Sequence, residues 1–147
     1  MTAAEFEAAG WQRLPGTHFN AAAGPHWLRR DAHGPVVGLF TDERHSNGHL
    51  GTVHGGALMT FADVALGVRV VEAIGEPMCA TSQLSYAFAG AARVGQLVTC
   101  RPELVRKTSA LVFVRGVIRA DDRTIGSAEG IFTILDRKTF ERLREGA

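Results

Sequence analysis

The sequence predicts an α+β protein in which an antiparallel sheet packs around one long helix. Residues 57–71 contain only three polar side chains, and a helix that is apolar nearly all round is buried on most of its sides. From residue 80 to residue 135 the apolar residues recur with period 2 instead, which is typical of strands. The turns between these strands are short, and short turns favour antiparallel neighbours.

Length and composition indicate one ordinary globular domain. A chain of 147 residues can bury roughly two-thirds of its unfolded surface. The net charge is +1, and no run of basic residues predicts a nucleic-acid surface. We expect no membrane span, because the apolar stretch 57–74 contains three charged residues. Cys79 and Cys100 stand apart and no secretory leader is recognised, so we expect two reduced thiols in a cytoplasmic protein.

The elements before the long helix are a short helix and two strands. An N-terminal helix is predicted at about residues 3–13, where Thr2 is an N-cap candidate and Pro15 stops the helix. The strands are predicted at residues 25–31 and 35–42, separated by a glycine turn. These segments extend the predicted sheet on the N-terminal side of the long helix.

The long helix begins near Gly55 after a loop rich in Gly and His, and it ends near Gly75. Four strands of a meander are then expected at residues 80–88, 95–106, 110–120 and 124–135. A closing helix is expected at about residues 137–145. The predicted organisation is a single domain, 1–147, with its core at about residues 24–136.

Asp63 is the one carboxylate in the middle of the apolar helix. It shares a face with Met59 and Leu66, whereas Arg69 lies about 120° away around the axis. A buried carboxylate is costly unless a partner satisfies it. Asp63 is therefore either a structural residue, bonded to the backbone or to a neighbour such as Thr60, or a functional acid.

The residues around Asp63 form a motif. It reads H-x-N, which is His45 and Asn47, followed by G-x-x-H-G-G, which is Gly51 to Gly56. Asp63 follows nine residues after the second His, and Thr81 follows eighteen residues after Asp63. This pattern resembles that of hot-dog-fold acyl-CoA thioesterases of the PaaI-like group (the phenylacetate-pathway type). The resemblance covers about residues 35 to 135. In two places the sequence departs from the family: Asn47 lies seven residues before His54 rather than six, and Gly90-Ala91 replaces a frequent Pro.

The resemblance implies hydrolysis of a thioester. Asp63 would be the general base for a water molecule or the nucleophile itself, and Thr81 would hold the water or the carboxylate. The amide of Gly55 would polarise the thioester carbonyl, with Asn47 and His54 near the same pocket. The expected substrate is an acyl-CoA, and neither a cofactor nor a metal is expected.

The residues themselves support part of this assignment. A helix N-terminus offers unpaired N–H groups, and Gly55 and Gly56 lack the Cβ that would keep a substrate away. His54 and Asp63 are about 180° apart around an ideal helix, so one chain does not easily aim both at one thioester. In the family the site lies at a dimer interface. We therefore expect a homodimer that forms the active site, pairing further into a dimer of dimers.

The acyl group is left open by the sequence. Gly56, Met59 and Leu66 are the expected contacts with the substrate. A pocket lined in this way would suit a small aromatic acyl group or an aliphatic chain of medium length. The sequence does not distinguish coenzyme A from a carrier protein as the thiol.

Each of the other site residues also has a structural interpretation. The ring of His54 could cap the helix, and Gly55 and Gly56 could serve close packing. Asn47 could be a turn residue before a glycine, and Thr81 an ordinary strand residue. The sequence alone leaves both interpretations open.

Two other functions and a metal site are also conceivable for this motif. A non-catalytic acyl-CoA-binding module could use the same groove, but it has no need of a carboxylate beside the thioester. A hot-dog dehydratase or hydratase places a His and an acid on the acyl chain, an arrangement that this motif resembles less. His45, His49 and His54 could ligate a metal, although the loop has no nearby Cys.

Overall fold

The computed structural model describes residues 1–146, which form one antiparallel sheet and four α-helices. The helices are α1 (Ala3–Ala8), α2 (His18–Ala23), α3 (Gly55–Ile74) and α4 (Arg137–Glu145), with a single 3-10 turn at Glu43–His45. The strands β1 to β8 are, in order, Gln12–Arg13, His26–Asp31, Gly34–Phe40, Cys79–Phe88, Leu97–Cys100, Glu103–Lys107, Leu111–Ala120 and Arg123–Ile134.

The sheet wraps around α3. Its strand order is β1-β2-β3-β5-β7-β8-β4, and β6 pairs with β7 beyond the end of β5. Every pairing is antiparallel. Helix α3 contacts β3, β4, β6, β7 and β8, which confirms the predicted α+β arrangement of a sheet around one long helix.

The core lies between α3 and the concave face of the sheet. Alternate residues of β7 face the helix, as the period of 2 predicts. The helix ends at Gly75, whose φ of +81° is the left-handed conformation that favours glycine, and its amide donates to the carbonyl of Val71. The buried residues of α3 are Leu58, Phe61, Ala62, Ala65, Leu66 and Val70.

Two features of the predicted meander are wrong. The single strand expected at residues 95–106 is in fact two strands, β5 and β6. Strand pairing is interrupted between them because Pro102 has no N–H to donate. Strand β4 lies beside β8 at the far edge of the sheet, and not beside β5. Sequence periodicity defines strands but not the order in which they pair.

The N-terminal region also differs from its prediction. Helix α1 ends at Ala8, and the rest of the expected helix is the short strand β1, followed by the unpredicted helix α2. A small second core holds this region against the sheet, and its centre is the stacked pair Phe6 and Trp27, with ring centroids 4.6 Å apart. None of the helices within residues 1–146 is long and apolar enough to cross a membrane.

Gly116 provides a test of the packing between β5 and β7. A Cβ on Gly116 would overlap the sulfur of Cys100, which is itself buried. We expect Gly116→Ala to lower the free energy of unfolding by about 1–3 kcal/mol, as overpacking in a core does. The control is Gly90→Ala, whose Cβ would lie 3.6 Å from Ile125 Cα in ordinary contact. Urea unfolding measures the free energy of unfolding of both variants. Equal values for Gly116→Ala and Gly90→Ala would contradict the expected overlap with Cys100.

Candidate active site

Asp63 and Thr81 meet where the middle of α3 faces the start of β4. The Thr81 hydroxyl donates a hydrogen bond of 2.7 Å to Oδ1 of Asp63. Among residues 1–146 no other group donates to this carboxylate, so Oδ2 is free to accept a proton or to attack a carbon. Asp63 is half-buried, and Thr81 is exposed on the edge strand.

Asp63 and Thr81 open into a cleft of about 510 Å³, the Asp63 cleft. One wall is formed by α3, the start of β4, and Phe132 of β8. The opposite wall comes from the N-terminal segment, through Leu14, Pro15, Gly16, Asn20, Ala21 and Pro25. The cleft is largely apolar, and a carboxylate at the edge of an apolar cleft is a typical arrangement for a ligand site.

Cys79 lies in the same wall, close to Asp63. Burial, and to a smaller extent the negative charge of Asp63, raise the pKa of the Cys79 thiol. The thiol therefore stays protonated near neutral pH and is a poor nucleophile. Cys79 is therefore not a candidate nucleophile of this cleft.

The N-terminus of α3 presents one unpaired amide. The ring of His54 caps the helix, since its Nδ1 accepts the N–H of Gly56 at 2.9 Å. Within the described residues, 1–146, no acceptor meets the N–H of Gly55. The ring of Phe88 lies over this glycine, because a Cβ there would be 3.3 Å from Phe88 Cε1. The absence of a side chain at Gly55 thus allows the aromatic contact, and its backbone N–H is a free donor.

The free amide and the free carboxylate of one chain are far apart. Gly55 and Asp63 are eight residues apart on α3, a rise of about 12 Å along the helix axis. Groups that act on one carbonyl must both lie within hydrogen-bond reach of it. One chain by itself therefore does not supply both groups to a single substrate.

His45 connects the start of α3 to the N-terminal wall of the cleft. Its Nδ1 accepts the backbone N–H of Asp42 at 3.0 Å, and its Nε2 lies 3.0 Å from the carbonyl of Ala23, so Nε2 carries the proton that it donates to that carbonyl. Its own carbonyl accepts the N–H of His54 at 2.7 Å. Arg44 adds further bonds to carbonyls at the end of α2. The helix start and the cleft wall are thus both bonded to one buried residue, the first through its backbone carbonyl and the second through its ring.

The remaining predicted residues do not line the Asp63 cleft. Leu66 has no exposed surface and packs on the sheet side of α3, so the expectation that it contacts substrate is wrong for this cleft. Met59 and Gly56 lie nearer the helix start, outside the cleft lining. Asn47 is exposed in a tight turn, where its backbone N–H donates to the carbonyl of Thr52 at 2.7 Å. Asn47 thus occupies a turn position in the loop that leads to His54.

His26 is a cleft residue that sequence reasoning missed. It is 4% exposed, and its Nε2 has no hydrogen-bond partner among residues 1–146. Desolvation, followed by the nearby His45, lowers its pKa to about 4. Nothing in the sequence marks it, because only the fold brings the first residue of β2 beside α3.

The three loop histidines do not converge. His45 is buried with both ring nitrogens in hydrogen-bonding contacts, while the ring of His54 caps the helix. Within residues 1–146 no group of three or more His, Cys, Asp or Glu side chains is placed to hold a metal ion.

Comparison with known proteins identifies the family. The model of the thioesterase superfamily matches residues 50–127, which include the N-terminus of α3, Asp63 and Thr81. The chain belongs to the thioesterase superfamily. A candidate esterase of Pseudomonas aeruginosa is 36% identical over 111 residues, which are 74% of this chain and 82% of that protein.

Solved structures agree with the fold. A mutant of the phenylacetic acid degradation protein PaaI from Thermus thermophilus superimposes with a TM-score of 0.68 at 20% identity, over 80% of this chain and 98% of that one. A Bacillus halodurans protein solved with CoA gives a TM-score of 0.67 at 23% identity, over 74% and 73% of the two chains. The hot-dog fold and the PaaI-like resemblance are confirmed.

The buried imidazole of His26 predicts an acid-sensitive stability. Its pKa is about 4 in the folded state against 6.5 for an unperturbed His, so below pH 6.5 the unfolded chain binds the extra proton. Stability is therefore lost as pH falls from 6.5 to about 4, by up to about 3 kcal/mol, and no further loss from this group follows below that. Urea unfolding between pH 6.5 and about 4 measures how the free energy of unfolding depends on pH in wild type and in His26→Phe, where this dependence should be smaller. The exposed variant His49→Gln should retain the wild-type slope, and an unchanged slope in His26→Phe would contradict the assignment.

Proposed function

We propose that this chain hydrolyses acyl-CoA thioesters to a free acid and coenzyme A. The observation that carries the proposal is the Thr81 hydrogen bond to Asp63 Oδ1, which orients a carboxylate with a free oxygen at an apolar cleft. Membership of the thioesterase superfamily supports the reaction class. A similar fold solved with CoA supports coenzyme A as the thiol. The reaction needs no cofactor.

In the proposed reaction Asp63 takes a proton from water as the water oxygen attacks the thioester carbon. The negative charge that develops on the carbonyl oxygen is stabilised by the amide of Gly55 and by the positive end of the α3 dipole. The intermediate then breaks its C–S bond, and the leaving thiolate takes the proton held by Asp63. Thr81 keeps Oδ1 in place, so Oδ2 faces the water.

A nucleophilic route uses the same groups. Oδ2 of Asp63 would attack the thioester carbon directly, expel the thiolate and form a mixed anhydride, which water then hydrolyses. Both routes need an ionised carboxylate and the same amide donor. The proposal therefore concerns the residues and the overall reaction, and it applies to either route.

We infer that the amide comes from a second subunit. The rise of about 12 Å between Gly55 and Asp63 separates them within one chain. Strand β4 pairs with β8 on one side only, and its ten residues are largely exposed along the other edge. A free edge of this length suits antiparallel pairing with a second copy about a two-fold axis, which would bring each β4 beside the other subunit's helix. Two such dimers would form the proposed tetramer.

The rival functions fit the site less well. A binding module has no use for a carboxylate that is hydrogen-bonded into position with one oxygen free. A dehydratase needs a His able to exchange protons beside the acyl chain. The ring of His54 caps the helix, and the low pKa of His26, about 4, makes its imidazole a weak base.

Substitution of Asp63 tests the proposal directly. We expect Asp63→Asn to lower kcat by about two orders of magnitude or more, because the amide neither accepts the proton nor attacks carbon. Thr81→Ala should lower kcat by about tenfold, whereas Thr81→Ser, which keeps the hydroxyl, should retain most of the wild-type kcat. Release of free thiol from a panel of acyl-CoAs measures all three. Wild type that binds acyl-CoA but releases no thiol would indicate the binding module instead.

The two-subunit site has its own test in Gly55. Proline suits this first helical position, since His54 already has φ −64° and ψ 136°. It removes the N–H, and the Cβ that it adds 3.3 Å from Phe88 Cε1 is also present in the control Gly55→Ala. We expect Gly55→Pro to lower kcat by about 10²–10³, and Gly55→Ala, which keeps the N–H, to lower it far less.

Mixed dimers of two inactive variants separate the one-subunit and two-subunit arrangements. Co-expression of Gly55→Pro with Asp63→Asn at equal levels should restore about a quarter of wild-type activity, because half the dimers are mixed and each has one intact site. If both groups acted within one chain, every site would contain a defect. No recovery of activity would then be observed, although the mixed dimer had formed.

A further inference from the structure

The Asp63 cleft runs along α3 as a groove. Asp63, Gly67 and Val71 follow one another on consecutive turns of the helix and all line the cleft, which ends beside Glu72. Glu72 lies nine residues after Asp63, a rise of about 14 Å along the helix axis, and about 100° further round the axis than Val71. A group attached to a carbonyl at Asp63 thus has a path along the helix past Gly67 and Val71, with Glu72 at the side of its far end.

The middle of this groove is apolar on both sides. Helix α3 contributes Val64 and Val68, and the facing N-terminal segment contributes Leu14 and Ala21. That facing wall lies outside residues 50–127, the part that the superfamily model matches. The shape of the groove is therefore set partly by a segment outside the matched residues.

The far end of the groove is charged. Glu72 forms ion pairs with Arg30 and, at 3.6 Å, with Arg69. Both Arg30 and Glu72 line the cleft. Extending an apolar tail into this group would separate or desolvate charges that pair with each other, which is unfavourable. The ion pair therefore limits the length of an apolar ligand.

Gly67 is the position where the helix wall of the groove has no side chain. Glycine inside a helix is less favourable than alanine, so a reason for it is expected from the packing. The packing gives none: a Cβ on Gly67 would meet only Phe132, at 3.8 Å, in ordinary contact. What the missing side chain does provide is space in the groove, about 6 Å along the helix from Asp63.

We propose that the groove binds a linear, apolar acyl chain of medium length, and that Gly67 determines how deep the chain enters. An extended chain advances about 1.3 Å per carbon for bonds of about 1.5 Å, so 14 Å corresponds to about ten carbons. This proposal rests on the proposed function, because the acyl carbonyl is placed at Asp63. It selects the aliphatic acyl groups over the small aromatic ones.

Two substitutions at Gly67 test the proposal. Gly67→Ala narrows the groove slightly, and Gly67→Leu fills it one turn beyond Asp63. The Cβ that both variants add meets no backbone, and both residues favour the helix. The control is Val117→Leu on the outer face of β7, where Val117 is 48% exposed. Thermal unfolding confirms that each variant is folded.

The first measurement is kcat/KM for thiol release from straight-chain acyl-CoAs, acetyl to palmitoyl, and from phenylacetyl-CoA. In wild type we expect a rise of up to about fourfold per methylene, ending near decanoyl-CoA. Gly67→Leu should move the optimum to about butyryl-CoA and reduce the octanoyl-to-butyryl ratio on the order of a hundredfold, with Gly67→Ala intermediate. Val117→Leu should keep the wild-type profile. A wild-type optimum at phenylacetyl-CoA or palmitoyl-CoA, or the same profile in Gly67→Leu, would overturn the proposal.

The second measurement does not depend on hydrolysis. Calorimetry with the thioethers S-butyl-CoA, S-octyl-CoA and S-dodecyl-CoA should show affinity that rises to the octyl compound in wild type, and no such rise in Gly67→Leu. If these affinities behave so while no thioester is hydrolysed, the groove is correct and the proposed hydrolysis is wrong. If hydrolysis occurs but the thioether affinities are independent of length, the groove is wrong and the hydrolysis stands.

Discussion

The structure depends on how completely the sheet covers α3. Strands β3 to β8 enclose the face that carries Phe61, Leu66 and Val70, and this burial is the main apolar contact of the chain. The sheet does not close over the face that carries Asp63 and Gly67. Because a carboxylate could not be buried without cost on the closed face, the position of Asp63 on the open stripe allows one helix to form both the core and the site.

The N-terminal region turns this open stripe into a cleft. Its stacked rings, Phe6 and Trp27, fix it to the sheet, and the chain between β1 and β2 then faces α3. Buried His45 connects the end of this wall to the loop that starts the helix: its ring contacts the carbonyl of Ala23, and its backbone carbonyl accepts the N–H of His54.

Part of the candidate site could be predicted from the sequence because its parts are local or fixed by spacing. Asp63 is conspicuous as a lone carboxylate in an apolar helix, and its eighteen-residue separation from Thr81 matches a helix that leads into an antiparallel strand. The contact of Leu66 with substrate could not be judged in the same way. On a helix that is apolar nearly all round, the periodicity does not distinguish the face toward the sheet from the face toward the cleft.

The sequence by itself determined the α+β class, the extent of α3, the strands that alternate toward it, and the unusual carboxylate. These follow from short-range periodicity and from Gly and Pro punctuation, which act within a few residues. Only the tertiary structure decided that β4 lies beside β8, that His26 enters the cleft, and that residues 14–25 form its second wall. These features depend on contacts between segments distant in sequence, where packing and loop geometry rather than local preference determine which surfaces meet.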